Sequence, residues 1–340
     1  VRSPRPLGQA DPFLAAELAA AGGVHSFSCW HERDIAVAPL LLHAGVAVTW
    51  RAWSFDPAVW LLAMVGAAAY VRKTEQIEPP RRARYWLPFF CGVFVALAAL
   101  VSPLDAAAGH MLSLHMFQHL LLSTVAAPLL VLGMPAELTA ELLRGRRLQW
   151  LSRRIAVPWV TAPIFIVDMW VWHIPPLYEQ ALLHSGVHAL MHISFLLTGI
   201  LFWWPVFQET PGVPRLTIGG RLLYVFASGF PMELLALMFI AGTTSFYHYY
   251  DLPPYLFGVS PLIDQQISGI VMGSVGEATS LVTISFYFLM LDRDDSPRAR
   301  QAGRSAALPP LASALSWILV AAFVLFAGIA FGLSLPRAGL

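Results

Sequence analysis

Long apolar runs separated by short polar ones set the layout of this chain. A helix that crosses the hydrocarbon core of a bilayer needs about 20 consecutive apolar residues. Runs of that kind recur at about 57–72, 85–102, 113–133, 157–174, 186–206, 221–242, 267–291 and 311–335. The pattern predicts an all-α polytopic transmembrane bundle of about eight spans, a seven-span core plus a C-terminal helix. At the head of the first run, Phe55-Asp56-Pro57 reads as a helix start, with Asp56 as cap and Pro57 in the first turn.

The same pattern divides the chain. Residues 1–50 form an N-terminal extension, in which the apolar stretch 35–50 is either a retained short helix or the core of a signal peptide. Residues 51–291 form the transmembrane domain, 292–310 a polar, Pro- and Arg-containing cytoplasmic linker, and 311–340 an additional transmembrane helix.

Composition agrees with a membrane protein. Hydrophobic residues make up 57% of the chain and charged residues 12%, against about 25% charged in a soluble domain. Basic residues are distributed unevenly. The connections 73–84, 134–156, 207–220 and 292–310 carry arginines or lysines, among them Lys73, Arg81, Arg146, Arg154, Arg215 and Arg300; 103–112, 175–185 and 243–266 carry none. By the positive-inside rule the basic connections face the cytoplasm and the others face outward. No basic tract with interleaved aromatics points to nucleic acid. Cys29 and Cys91 are far apart, and Cys91 falls within an apolar run, so neither a disulfide nor a thiol relay is expected.

Histidine is what gives this bundle candidate chemistry. His110, His115, His119, His173, His184, His188 and His192 all fall at the predicted outer ends of spans, with His248 in a later connection on the same side. His115 and His119 share a helical face at i and i+4, with Met111 one turn earlier, and His184, His188 and His192 repeat that spacing in a second helix. Imidazole is the commonest ligand for transition metals, and thioethers beside it suit Cu(I). The competing role is polar packing between helices. Asp168, Glu233 and Glu277 lie near mid-span, as a proton or ion path, a deeper metal site, or polar links between helices. Asp264 is a candidate helix cap, oxygen ligand or partner of a ligating histidine. No nucleophile motif or phosphate loop supports a conventional enzyme.

Several ordered motifs carry a family resemblance. His115-Met-Phe-Gln-His119-Leu-Leu-Leu, Ala127-Pro128-Leu and Leu132-Gly133-Met134-Pro135 are joined by Trp53-x-Phe55-Asp56-Pro57 and Ser102-Pro103-Leu104-Asp105. His173-x-Pro175-x-x-Tyr178, His188-x-x-x-His192, Phe202-Trp203-Trp204-Pro205 and Pro261-Leu262-x-Asp264-Gln265 follow in order. Over about residues 50–291 the chain resembles the CtaG family of cytochrome c oxidase assembly factors. The resemblance implies a factor of the bacterial inner membrane that helps to form the copper centre of the oxidase. Its implied partners are the oxidase catalytic subunit or other copper chaperones. His115, Gln118, His119, His173, His188, His192 and Asp264 are the positions that match.

The resulting expectation is a copper site, most simply Cu(I), at the outer face. Its main ligands would be His115, His119, His188 and His192, with His173, His184 and Met111 accessory and Gln118 and Asp264 supporting. Two other readings use the same residues: a copper importer or resistance permease with a path through Asp168, Glu233 and Glu277, and a haem-b electron carrier with axial histidines such as His119 and His192. The chain departs from the family pattern at Ser268-Gly269-Ile270-Val271-Met272-Gly273, which lacks the usual tryptophan and leads to Glu277. The last span and the long N-terminus also exceed that pattern.

Overall fold

Prolines start many of the helices. The computed structural model describes residues 52–294, apart from 209, 211, 212 and 254. Its long helices are α1 (Pro57–Thr74), α2 (Pro79–Val101), α8 (Pro158–Trp172), α10 (Ser185–Phe207), α11 (Ile218–Ala241) and α12 (Pro261–Asp294). Proline suits the first turn because the N–H it lacks has no intrahelical partner there. Asp56 caps α1 as expected, accepting a 2.8 Å hydrogen bond from the Ala58 N–H.

One further rod runs through the centre. It is built of α4 (Leu112–Leu120), a π-helical turn (Leu121–Ala126) and α5 (Ala127–Leu132). Within this rod 83% of the span is buried, against 22–44% in the other four helices long and apolar enough to cross a membrane. Its neighbours are α2, α10 and α12, and α11 packs closely along α12. Around that core, Leu62, Phe94, Leu197 and Leu237 are exposed, which suits a bundle whose outer surface meets lipid.

The π turn is built into the packing. Its widened geometry frees the Ser123 carbonyl, which accepts a 3.1 Å hydrogen bond from Nε1 of Trp203 on α10. Gly199 makes that approach possible, because a Cβ there would lie 2.9 Å from the same carbonyl.

The span count differs from the sequence pattern. Five described helices meet the requirements for crossing, or six if α7 (Arg146–Ile155) and α8, bent by 75°, form one broken span. Alone, α8 has 15 residues, a rise of about 22 Å where the hydrocarbon core is about 30 Å thick. At the predicted first span α1 does form, with Arg72 and Lys73 in its last turn. The predicted span 311–335, the stretch 1–50 and the linker 292–310 (but for its first residues, in α12) lie outside the described residues.

Three of the connections read as loops, 103–112, 134–156 and 175–185, are largely helical. They contain α3 (Pro103–Ala108), α6 (Ala136–Leu142), α7 and α9 (Pro175–Leu183). Each is too short to register as an apolar run. The arginine-rich end is held by exposed ion pairs, Arg81 with Glu137 at 2.5 Å and Lys73 with Glu141.

Candidate functional site: a buried imidazole group

Helical spacing brings the histidines together from two sides. On α4, His115 and His119 are 0% and 3% exposed, and their ring centroids are 4.3 Å apart. On α10, His188 and His192 repeat the arrangement, also with 4.3 Å between centroids. The two stripes face each other. His119 and His192 lie 5.3 Å apart between ring centroids, and Nε2 of His115 is 3.3 Å from Nε2 of His188. His115, His119 and His192 each offer a ring nitrogen, and the three nitrogens lie within 4.8 Å of one another.

Hydrogen-bond direction assigns the tautomer of His115. Nδ1 of His115 is 2.7 Å from the Tyr178 hydroxyl and 3.2 Å from the Tyr250 hydroxyl, and the two hydroxyls are 3.1 Å apart. The Tyr250 hydroxyl donates to the Ala108 carbonyl at 3.3 Å. A carbonyl only accepts, so Tyr250 donates there and receives the proton of Tyr178. Tyr178 in turn receives the Nδ1 proton of His115. Burial pushes both phenols well above their ordinary range, so both remain donors. This arrangement leaves the Nε2 lone pair of His115 directed at the facing histidines, as a ligating imidazole requires.

His173 is set in a similar way. Its Nδ1 donates to the Met169 carbonyl at 2.6 Å, and its own carbonyl accepts from the Tyr247 hydroxyl at 2.9 Å. Elsewhere in the group polar atoms are left over. Both ring nitrogens of His119 and Nε2 of His192 are buried without a hydrogen-bond partner. Leaving a buried polar group unpaired costs about 1–3 kcal/mol, and such groups call for an explanation. A metal ion bound to the lone pairs would supply one, so the donor set fits a transition metal.

Two residues place α4 rather than touch the rings. Asp264 was expected to cap its own helix or to support a histidine. Because α12 begins at Pro261, Asp264 lies inside the first turn. Its carboxylate instead accepts from the backbone N–H groups of Leu112 (2.6 Å) and Ser113 (3.3 Å) and from the Ser113 hydroxyl (2.5 Å). It therefore caps the start of α4, where a negative charge also complements the helix dipole. The Gln118 amide donates to the Ala99 carbonyl and to Asp105, both at 2.8 Å, tying α4 to α2 and α3.

Other expected residues fall elsewhere. His184 precedes the first residue of α10, is exposed, and has Nδ1 3.1 Å from the Gln180 carbonyl; the i, i+4 stripe begins only at His188. Met111 is the buried residue that opens α4. The thioether beside an imidazole is that of Met116, whose Sδ is 3.1 Å from Nε2 of His173. His110 is partly exposed. His248 pairs with Asp251 at 2.9 Å, which raises its pKa above the usual histidine value.

The carboxylates stand apart from the rings. Asp168 accepts from the Thr198 hydroxyl at 2.8 Å. Glu233 lies against Gly273 and close enough to Glu277 for the two charges to interact. The residues missed from the sequence are Tyr178 and Tyr250 as tautomer setters and Asp105 as the partner of Gln118; Met116 was one of several methionines expected at the outer ends of spans. Tyr178 had a signal, its place in the motif that begins at His173.

These features define a class: a helical membrane protein whose central rod presents a buried group of imidazoles with free lone pairs. Residues 65–294 match the family described as the cytochrome c oxidase caa3 assembly factor (Caa3_CtaG), and the chain belongs to that family. Its relatives include two uncharacterized proteins, from Mycobacterium bovis and Mycobacterium tuberculosis. Each is 27% identical over 308 residues, covering 83% of this chain and 45% of the relative. A third, from Mycobacterium leprae, is 26% identical over 279 residues, 75% of this chain and 41% of its own length. The chain thus spans less than half the length of the curated relatives it matches. No solved structure matches it.

Proposed function

We propose that the protein binds copper through His115, His119 and His192, with His188 alongside, and helps to form a copper centre in the catalytic subunit of cytochrome c oxidase. The observation that carries this reading is the convergence of ring nitrogens of His115, His119 and His192 within 4.8 Å of one another, those of His119 and Nε2 of His192 being buried without a hydrogen-bond partner. Copper supplies a Lewis-acid centre that binds neutral imidazole. The protein's own residues do the rest. Asp264 fixes the start of α4, Tyr178 and Tyr250 hold the Nδ1 proton of His115, and the apolar rod keeps competing water away.

His188, half-buried at the edge of the group, offers a ligand within reach of a partner. The protein is not an enzyme in this reading, and its partner is the oxidase catalytic subunit or another copper chaperone. The absence of basic residues from the connections at the histidine end supports an outward-facing site in an eight-span bundle of the bacterial inner membrane. Direct ring-on-ring packing favours a single ion over a haem macrocycle. The partnered state of Asp168 favours assembly over transport.

In cells lacking this protein, the wild type is expected to restore oxidase activity and oxidase copper content, and the His115→Ala/His119→Ala variant to restore neither. Full restoration by the double variant at equal protein level would remove the histidine group from the function.

A further inference from the structure

Nε2 of His173 and Sδ of Met116 meet at 3.1 Å with nothing to bond them. Nδ1 of His173 carries the ring proton, because its partner, the Met169 carbonyl, only accepts. Nε2 therefore presents a lone pair. A thioether sulfur presents lone pairs as well and donates nothing. Both residues are buried, at 1% exposure for Met116 and 5% for His173. The rings of Phe195 and Phe239 lie beside His173 and offer no hydrogen bond in place of the missing one.

The three-histidine group is close. His119 follows Met116 by three residues on α4 and so shares its helical face. Neither of its ring nitrogens has a hydrogen-bond partner. A neutral imidazole keeps a proton on one nitrogen and a lone pair on the other, and the lone pair of His119 serves the three-histidine group. Phe195 packs against both His119 and His173, with ring centroids 4.5 and 6.5 Å away.

We propose that Sδ of Met116 and Nε2 of His173 form a second, two-ligand metal site selective for Cu(I), next to the three-histidine group. The site rests on the copper reading above and deepens it. Thioether and imidazole together are soft ligands, suited to a cuprous ion and poorly suited to zinc, magnesium or calcium. The three-histidine group lacks sulfur and does not make that distinction by itself. The pair of sites thus gives the protein a means of choosing the metal as well as holding it.

The test uses the full chain, purified in detergent and loaded anaerobically with cuprous ion in competition with a cuprous chelator. Wild type is compared with Met116→Leu, which keeps the volume and removes the sulfur, and with His173→Gln. Wild type should take up a second equivalent of cuprous ion and show a sulfur shell in the copper X-ray absorption spectrum. Both variants should lose that equivalent, and Met116→Leu should lose the sulfur shell, while the nitrogen shell of the first site stays. Should Met116→Leu fail to elute as folded protein, the loss of an equivalent in His173→Gln decides. A nitrogen-only spectrum in wild type, or uptake equal in all three proteins, overturns the second site and leaves the first standing. No copper in any of them overturns both.

Discussion

Asp168 and His119 are both costly side chains to place in an apolar bundle, and the protein treats them differently. Asp168 is half-buried and accepts a hydrogen bond from Thr198 on the neighbouring helix. His119 is 3% exposed, and neither of its ring nitrogens is bonded. The first arrangement ties two helices together and is satisfied within the protein. The second is incomplete until something with an empty orbital arrives. Both are polar side chains in apolar helices, so polarity alone does not mark function here. What separates them is whether the polar atoms already have partners.

The largest effect expected from this contrast comes from His119→Leu. It should abolish metal uptake at the three-histidine group and yet raise stability by about 1–2 kcal/mol in the metal-free protein, because an apolar side chain removes two unpaired buried nitrogens. Thermal unfolding of the metal-free forms checks the sign. A loss of several kcal/mol would show His119 to be a packing group like Asp168. Tyr178→Phe comes next. It breaks the chain that keeps the proton on Nδ1 of His115, and outer partners of ligating histidines are worth about 10–100-fold in affinity. Competition with a copper chelator measures the change, and an unchanged affinity would break the link between the tyrosines and the site. The smallest effect belongs to the carboxylates: Glu233→Gln and Glu277→Gln should leave copper affinity unaltered. A drop as large as that of Tyr178→Phe would revive a path through the membrane.

The histidine stripes were legible because two rules coincide on them. A 3.6-residue period places His115 with His119 and His188 with His192, and an apolar run tells that the segment is a buried helix. His184 obeys the spacing but not the helix, since α10 starts one residue later; the period says nothing about where the first turn begins. Tyr178 and Tyr250 could not be ranked from sequence. One comes from a short proline-started helix and the other from a 3-10 turn. Their hydroxyls matter only because folding brings them to the same imidazole nitrogen.

Asp264 teaches a similar lesson about caps. Its residue type and its place near a helix start were correct for a cap, but the helix it caps is 151 residues away. Local pattern identified the chemistry, while tertiary packing chose the partner. Met116 is the sharpest case. Met111 shared the obvious stripe with His115 and His119. His173, arriving from another helix, meets Met116 instead.

The most direct measurement is the metal content of the purified protein after anaerobic loading with cuprous ion, wild type against His115→Ala/His119→Ala. The account predicts tightly held copper in the wild type and loss of the equivalent held by the three-histidine group from a double variant that remains folded. Equal, near-zero copper in both would contradict it and return the imidazole group to a structural role.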